Sequence, residues 1–387
     1  MSINTQEKFL ARPVSNFYML IISTGALVFL GLIMVFSASS IHSIDTNGSV
    51  ISIVLRQLLF VCVAVPFAIY LARVKVTQWE IVARIGFILS LVILGILLIP
   101  GIGKTVNGNT NWINLKFFDI QPSEFAKFFM ILWAARLLAR KENAGKFTFN
   151  VFKLLAPAFI VVMGLVLVGH DLGTSSVIAA ILAGLLFISG IRLRILGWSV
   201  AAGALLLAYF IATADYRVKR FTVFLNPFAP EDYKFAGWQP AHSLLGLASG
   251  GLFGVGLGGS RQKWGNLAEA HTDFIFSVIG EELGLVGTIS VLVLMGVLIY
   301  SIFKISLRAT EPFIRFACAG IGCWIFIQAF LNIGSATSVL PVVGVTLPLI
   351  SYGGSALVAT LCAIGFVAGA ALRDPAVRSE IMKKRHG

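Results

Sequence analysis

Apolar runs long enough to cross a bilayer recur along almost the whole chain, and nothing else in the sequence restricts the fold as much. They lie near 17–38, 53–72, 80–99, 122–139, 151–168, 173–190, 195–212, 274–303, 313–340 and 346–372. Crossing about 30 Å of hydrocarbon takes roughly 20 helical residues at 1.5 Å each. The expected fold class is therefore all-α: a polytopic membrane protein of ten transmembrane helices, with a large extracytoplasmic loop before the eighth. Residues 1–387 form one integral membrane domain on this reading. Composition agrees, with 58% of residues hydrophobic and 12% charged, against roughly 45–50% and about 25% in soluble domains. The first run is longer than the roughly 7–15 residues of a signal-peptide core and is followed by further spans, so it is read as an uncleaved helix.

Lysine and arginine set the expected orientation. Lys8, Arg12, Arg73, Lys75, Arg136, Arg140, Lys141, Lys146, Lys153, Arg192, Arg194, Lys304, Arg308, Arg315, Arg373, Arg378, Lys383, Lys384 and Arg385 fall on one side, whereas the short connections opposite hold Arg56, Lys104 and Lys116. The positive-inside rule places both termini in the cytoplasm and residues 213–273 outside. A net charge of +13 then requires no nucleic acid. The basic tail 373–387, with Lys383, Lys384 and Arg385, reads as an anchor against anionic lipid.

Several motif-like strings carry no chemistry. Cys62, Cys318, Cys323 and Cys362 all lie in apolar segments and read as small buried hydrophobes. Gly103-Lys104-Thr105 lacks the glycine a phosphate-binding loop needs, because Leu98 stands five residues before the lysine. The five histidines share no metal-ligand spacing, so no metal site is expected. The glycines between Gly250 and Gly259 have no strand and helix around them and read as tight turns or close helix contacts.

What remains are charges that a membrane makes expensive. Glu124 and Lys127 stand three apart after Gln121-Pro122-Ser123 and read equally as structural glue or as part of a site. Asp171, between two apolar runs, is placed to cap the next helix. Arg217, Lys219, Arg220, Lys234, Arg261 and Lys263 concentrate positive charge in the outer loop and point to an anionic partner such as a diphosphate. Asp273 precedes a long apolar helix that also carries Glu281 and Glu282. A helix cap would explain Asp273 alone, but three acids entering one span read as a polar cavity or substrate path.

These residues fall into longer strings: Trp112 and Gln121 to Lys127, Asp171-Leu172-Gly173-Thr174, Phe224-Leu225-Asn226-Pro227, Glu269 to Phe276, Gly280 to Gly284, then Asn332, Pro341, Gly344, Pro348 and Ser351 to Ser355. In that order, from the first span to the last, they resemble the SEDS family of cell-wall polymerases. Asp215-Tyr216-Arg217 through Asn226-Pro227, and Gly344 to Pro348, are more similar to its division branch than to its elongation branch. The resemblance implies ten transmembrane helices and a processive peptidoglycan glycosyltransferase polymerising lipid II outside the cytoplasmic membrane, at the division septum. It also implies a class B penicillin-binding protein as transpeptidase partner, and regulatory membrane proteins of the divisome. The family's essential aspartate carries over to Asp273, and Trp112, Glu124, Lys127 and Glu269 stand at positions the family pattern marks. Asp171 and His271 join these as substrate-side candidates, and Glu281, Glu282, Pro348, Ser351, Gly353 and Gly354 as structural or cavity residues. Two departures concern backbone restraint: His170 and Ala268 stand where the family usually has proline.

Sugar transfer from an undecaprenyl diphosphate donor needs a base for the attacking hydroxyl and positive charge for the departing diphosphate. Asp273 is the expected base, and some of Arg217, Arg220, Arg261 and Lys263 the expected diphosphate contacts. A divalent cation such as Mg2+ or Mn2+ could assist, though no ligand set in the sequence specifies one. Two rival readings are a lipid II flippase, with a broken helix near Asp171, and a noncatalytic divisome scaffold.

Overall fold

The structure is a computed structural model, described here for residues 12–106, 109–115, 118–144, 150–213 and 215–385. In chain order its helices are α1 (Pro13–Asn47), α2 (Ser52–Arg73), α3 (Val76–Leu97), α4 (Pro122–Asn143), α5 (Asn150–Val168), α6 (Leu172–Ile188), α7 (Leu193–Ala212), α8 (Asp215–Val223), α9 (Trp238–Ser249), α10 (Ile275–Arg308), α11 (Pro312–Ala336), α12 (Gly354–Arg373) and α13 (Pro375–Arg385). Seven of them, α1, α2, α3, α5, α10, α11 and α12, are long and apolar enough to cross a membrane. The polytopic helical architecture expected from the sequence is therefore present.

Side-chain size decides how closely these helices approach. A Cβ on Gly365 or Gly369 of α12 would stand 2.5 or 2.4 Å from the backbone oxygen of Ala68 or Ala72 on α2. Only small residues permit that separation, the usual basis of tight packing where lipid supplies no hydrophobic drive. The two helices thus form a rigid pair whose opposite face looks outward, with Leu55, Leu59 and Val63 exposed.

Three features depart from the sequence reading. First, the connection between α3 and α4 is not plain loop but a small antiparallel sheet of β1 (Lys104–Val106), β2 (Asn109–Asn114) and β3 (Asp119–Ile120), with β2 in the middle. Thr110 N–H donates to the Gly169 carbonyl at 3.0 Å and ties the sheet to the end of α5. Second, the last span begins at Gly354, not near 346, because Pro341, Gly344, Pro348 and Gly353 and the left-handed Leu349 (φ 67°) keep 337–353 out of a helix. Third, α10 is broken: Gly284 takes φ 66° and ψ −160°, a conformation essentially open only to glycine.

Candidate active site

The N-terminal ends of α4, α6 and α12, the loop before α10 and the sheet meet at one end of the bundle. Between them lies a cavity of about 1050 Å³. Its wall includes Trp112, Glu124, Asp171, Glu269, Asp273, Gly353 and Gly354 from the sequence-predicted set. It also includes Arg56, Lys104, Asp119 and Gln121, which the sequence reading did not assign. The N-termini of α4, α6 and α12 border this space, the α6 end being capped by Asp171, and the cations Arg56 and Lys104 share the wall, a setting that suits an anion.

Each acidic residue on this wall is held differently. Asp171 is a cap: its carboxylate accepts from Thr174 N–H and Thr174 Oγ1, both at 2.8 Å, and from Gln121 Nε2 at 3.2 Å. Glu124 Oε1 accepts from Lys127 Nζ at 2.7 Å, and both side chains are nearly inaccessible. Lys127 also donates to Gln328 Oε1 at 2.9 Å, and Gln328 Nε2 donates onward to the Thr346 carbonyl at 3.1 Å. Lys127 therefore stands behind the wall and links Glu124 to the 337–353 segment. Asp119 pairs with Lys104 at 2.7 Å in a half-exposed contact.

Asp273 directly precedes Phe274, the N-cap of α10. Its backbone is fixed from across the bundle, the Asp273 carbonyl accepting from Asn332 Nδ2 at 2.8 Å while the same amide donates to the Val345 carbonyl at 2.7 Å. The preceding turn is pinned by Ser351, whose hydroxyl donates to the Thr272 carbonyl at 2.6 Å and accepts from Leu347 N–H at 2.8 Å. Tyr352 N–H donates to the His271 carbonyl at 2.9 Å. Glu269 opens this turn with φ 57° and accepts from Thr272 Oγ1 at 2.9 Å. The chain thus stitches the loop that carries Asp273 to the segment that carries Ser351, and Pro348 is buried beneath.

Several candidates lie off the cavity wall. His271 is buried, stacked on His42 with centroids 5.1 Å apart. Burial pushes its imidazole from the ordinary 6.5 down to about 4, against Glu269 and helped by His42. A lowered basic pKa means that protonation favours the unfolded chain, so this stability is complete above about 6.5 and lost as pH falls through about 4. His271→Asn is expected to flatten the acid limb of the thermal stability profile across that window, read by melting in detergent at stepped pH.

Lys263, expected to meet a diphosphate, is instead buried in an ion pair with Glu282 at 3.1 Å. Ser37 Oγ donates to the same carboxylate at 2.6 Å. Glu281 accepts from Arg261 N–H at 2.9 Å, Gln262 N–H at 3.4 Å and Ser260 Oγ. The two glutamates therefore lock the outer segment onto α1 and α10 and do not line the cavity. Arg261 is exposed and likewise off the wall. The side chains of Arg217, Arg220, Lys383, Lys384 and Arg385 lie outside the described residues. His170 is on the wall with φ 66°, which a proline ring locked near −65° could not adopt, so the departure in sequence is also one in backbone.

A helical membrane bundle with a polar, carboxylate-walled cavity at one end is the architecture of an integral membrane enzyme working on a substrate with a large polar head. The comparisons with known proteins give the family. Residues 18–374 match the family of FtsW, RodA and SpoVE cell cycle proteins, and the chain belongs to that family. It is 40% identical over 367 residues to a probable peptidoglycan glycosyltransferase FtsW of Mycobacterium tuberculosis, covering 95% of this chain and 70% of that one. It is 36% identical over 348 residues to stage V sporulation protein E of Bacillus subtilis, covering 90% and 94%. Among solved structures, a chain of a peptidoglycan synthase complex that coordinates polymerization and crosslinking superposes with a TM-score of 0.74 at 26% identity, covering 92% and 98%. The rod shape determining protein RodA of Thermus thermophilus superposes at 0.68 and 27%, covering 92% and 96%.

Proposed function

We propose that this protein polymerises lipid II into glycan strands at the outer face of the cytoplasmic membrane, with Asp273 as the general base. It is a multi-pass glycosyltransferase of the bacterial inner membrane. The observation that carries the reading is the placement of Asp273 on the wall of a polar cavity that also presents Arg56 and Lys104. The acceptor hydroxyl attacks the anomeric carbon of the donor sugar, the bond from that carbon to the diphosphate oxygen breaks, and the hydroxyl proton passes to the Asp273 carboxylate. Undecaprenyl diphosphate leaves with the bonding electrons.

Positive charge for that leaving group is best supplied by Arg56 and Lys104, which are on the wall, in place of Arg261 and Lys263. Arg56→Gln and Lys104→Gln are each expected to lower the rate of polymerisation from lipid II without lowering the melting temperature, since both side chains are exposed. Unchanged kinetics in the double variant would return the diphosphate to the helix ends alone. Among the described residues no three of His, Cys, Asp and Glu converge on a metal.

The ten-span arrangement is supported by adding α4, α6 and α7 to the seven apolar spans. The charges that make α4 polar pair within the bundle, and α6 and α7 have 17 and 20 residues. Both termini are then cytoplasmic and the segment 213–273 is external. The partner reading is a class B penicillin-binding protein, with divisome membrane proteins as regulators, and the division septum is the site of action. Polymerisation of purified lipid II by the protein reconstituted with that transpeptidase tests the function directly. Transbilayer movement of lipid II with no glycan product would favour the flippase reading, and partner binding with neither activity would favour a scaffold.

A further inference from the structure

Ten consecutive residues of the segment between α9 and α10, Gly250 to Gly259, carry no polar side chain. Leu252, Phe253, Val255 and Leu257 in this stretch are 51 to 80% exposed. In water such a run would leave both apolar side chains and backbone amides to the solvent. Here part of that backbone is paired with the broken helix α10. Val255 N–H donates to the Glu281 carbonyl at 2.9 Å and Gly256 N–H to that of Glu282 at 3.1 Å. In return Leu285 N–H and Val286 N–H donate to the carbonyls of Gly251 and Leu252 at 2.9 and 3.2 Å. The break at Gly284 frees those groups, and the glycines allow the approach: a Cβ on Gly254 would meet the Glu282 carbonyl oxygen at 2.1 Å. Pairing of this kind lowers the cost of placing irregular backbone at the edge of the hydrocarbon, and the apolar side chains turn outward there.

The depth fits as well. Val286 lies about 33 Å along α10 from Arg308, close to the thickness of a bilayer core of about 30 Å. Leu252 is hydrogen-bonded at that level, and Leu285, Val286 and Ile289 continue its exposed apolar surface down the helix. Beyond the apolar run come Arg261 and Trp264, both exposed, the residue types that favour the headgroup boundary.

We infer that residues 250–264 form a wedge that inserts into the lipid leaflet on the cavity side, with Leu252, Phe253, Val255 and Leu257 among acyl chains and Arg261 and Trp264 at the headgroups. The occupant of this surface is lipid, because the patch is continuous with the lipid-facing side of α10. The wedge fixes the depth of the loop that leads into Asp273.

Spin labels at Phe253→Cys, Leu257→Cys and, as a control, Glu231→Cys, each in a Cys62→Ser background, test this in liposomes of phosphatidylethanolamine and phosphatidylglycerol without any partner. Collision rates with oxygen, which concentrates in lipid, are compared with those of a water-soluble nickel chelate. Oxygen is expected to dominate at 253 and 257 and the nickel complex at 231. Nickel dominance at 253 and 257 would overturn the wedge. So would protection from both probes, meaning burial against protein such as a second copy of this chain. The readout is depth, so it stands or falls independently of glycan synthesis.

Discussion

Asp273→Asn is expected to yield a folded, partner-bound protein whose glycan polymerisation falls by ~10²–10⁴, the usual contribution of a positioned acid or base. The fold should tolerate the change because what holds this residue is its backbone. Its carbonyl is fixed by Asn332, and the residue before it by Ser351. Asparagine caps a helix about as well as aspartate, so any bond this side chain makes at the start of α10 survives the change. An amide is nearly isosteric with the carboxylate but cannot take the acceptor's proton. Asp273→Glu keeps the charge and moves it by about a bond length, which in a positioned site also costs much of the rate. Melting and partner pull-down report the first half of the expectation and gel analysis of glycan chains the second. Near-normal chains from Asp273→Asn would sink the assignment of this residue as the base.

The chain announces its solvent and its spans because hydrocarbon demands long unbroken apolar helices, and that demand is written in local sequence. The same is true of Asp171, whose capping role follows from its place between two apolar runs, and of Pro122 at the first turn of α4. Three things escaped local reading. Arg56 and Lys104 looked like minor charges in short connections, because what makes them wall residues is the approach of α2 and the sheet to segments far along the chain. The sheet itself is short and polar, without the sustained alternation that marks a strand. The break at Gly284 is one glycine within a long apolar run, and glycine alone does not distinguish a close helix contact from a broken helix. A signal existed in the facing stretch Gly250 to Gly259, since ten residues with no polar side chain have to lie against something.

Lys263→Met is expected to lower stability by about 3–5 kcal/mol, the usual consequence of removing one partner of a buried ion pair. The side chain is almost fully buried and Glu282 is wholly so. Without the ammonium, the Glu282 carboxylate keeps only the Ser37 hydroxyl and the Ser260 amide, at 2.6 and 3.3 Å, too little to replace its lost hydration. By contrast the half-exposed pair of Lys104 and Asp119 belongs to a class worth about 0–1 kcal/mol. The double variant Lys263→Met/Glu282→Gln should recover most of the loss, because it removes the orphaned charge and leaves an amide that Ser37 can still meet. A lysine that bound the substrate diphosphate would give the opposite pattern: an unchanged melting temperature, failure to use lipid II, and no rescue by Glu282→Gln. Measuring melting and polymerisation on the two variants side by side therefore decides whether this cation serves the fold or the reaction. With Ser37 on α1 and Glu282 on α10 closing around it, the expected outcome is the first.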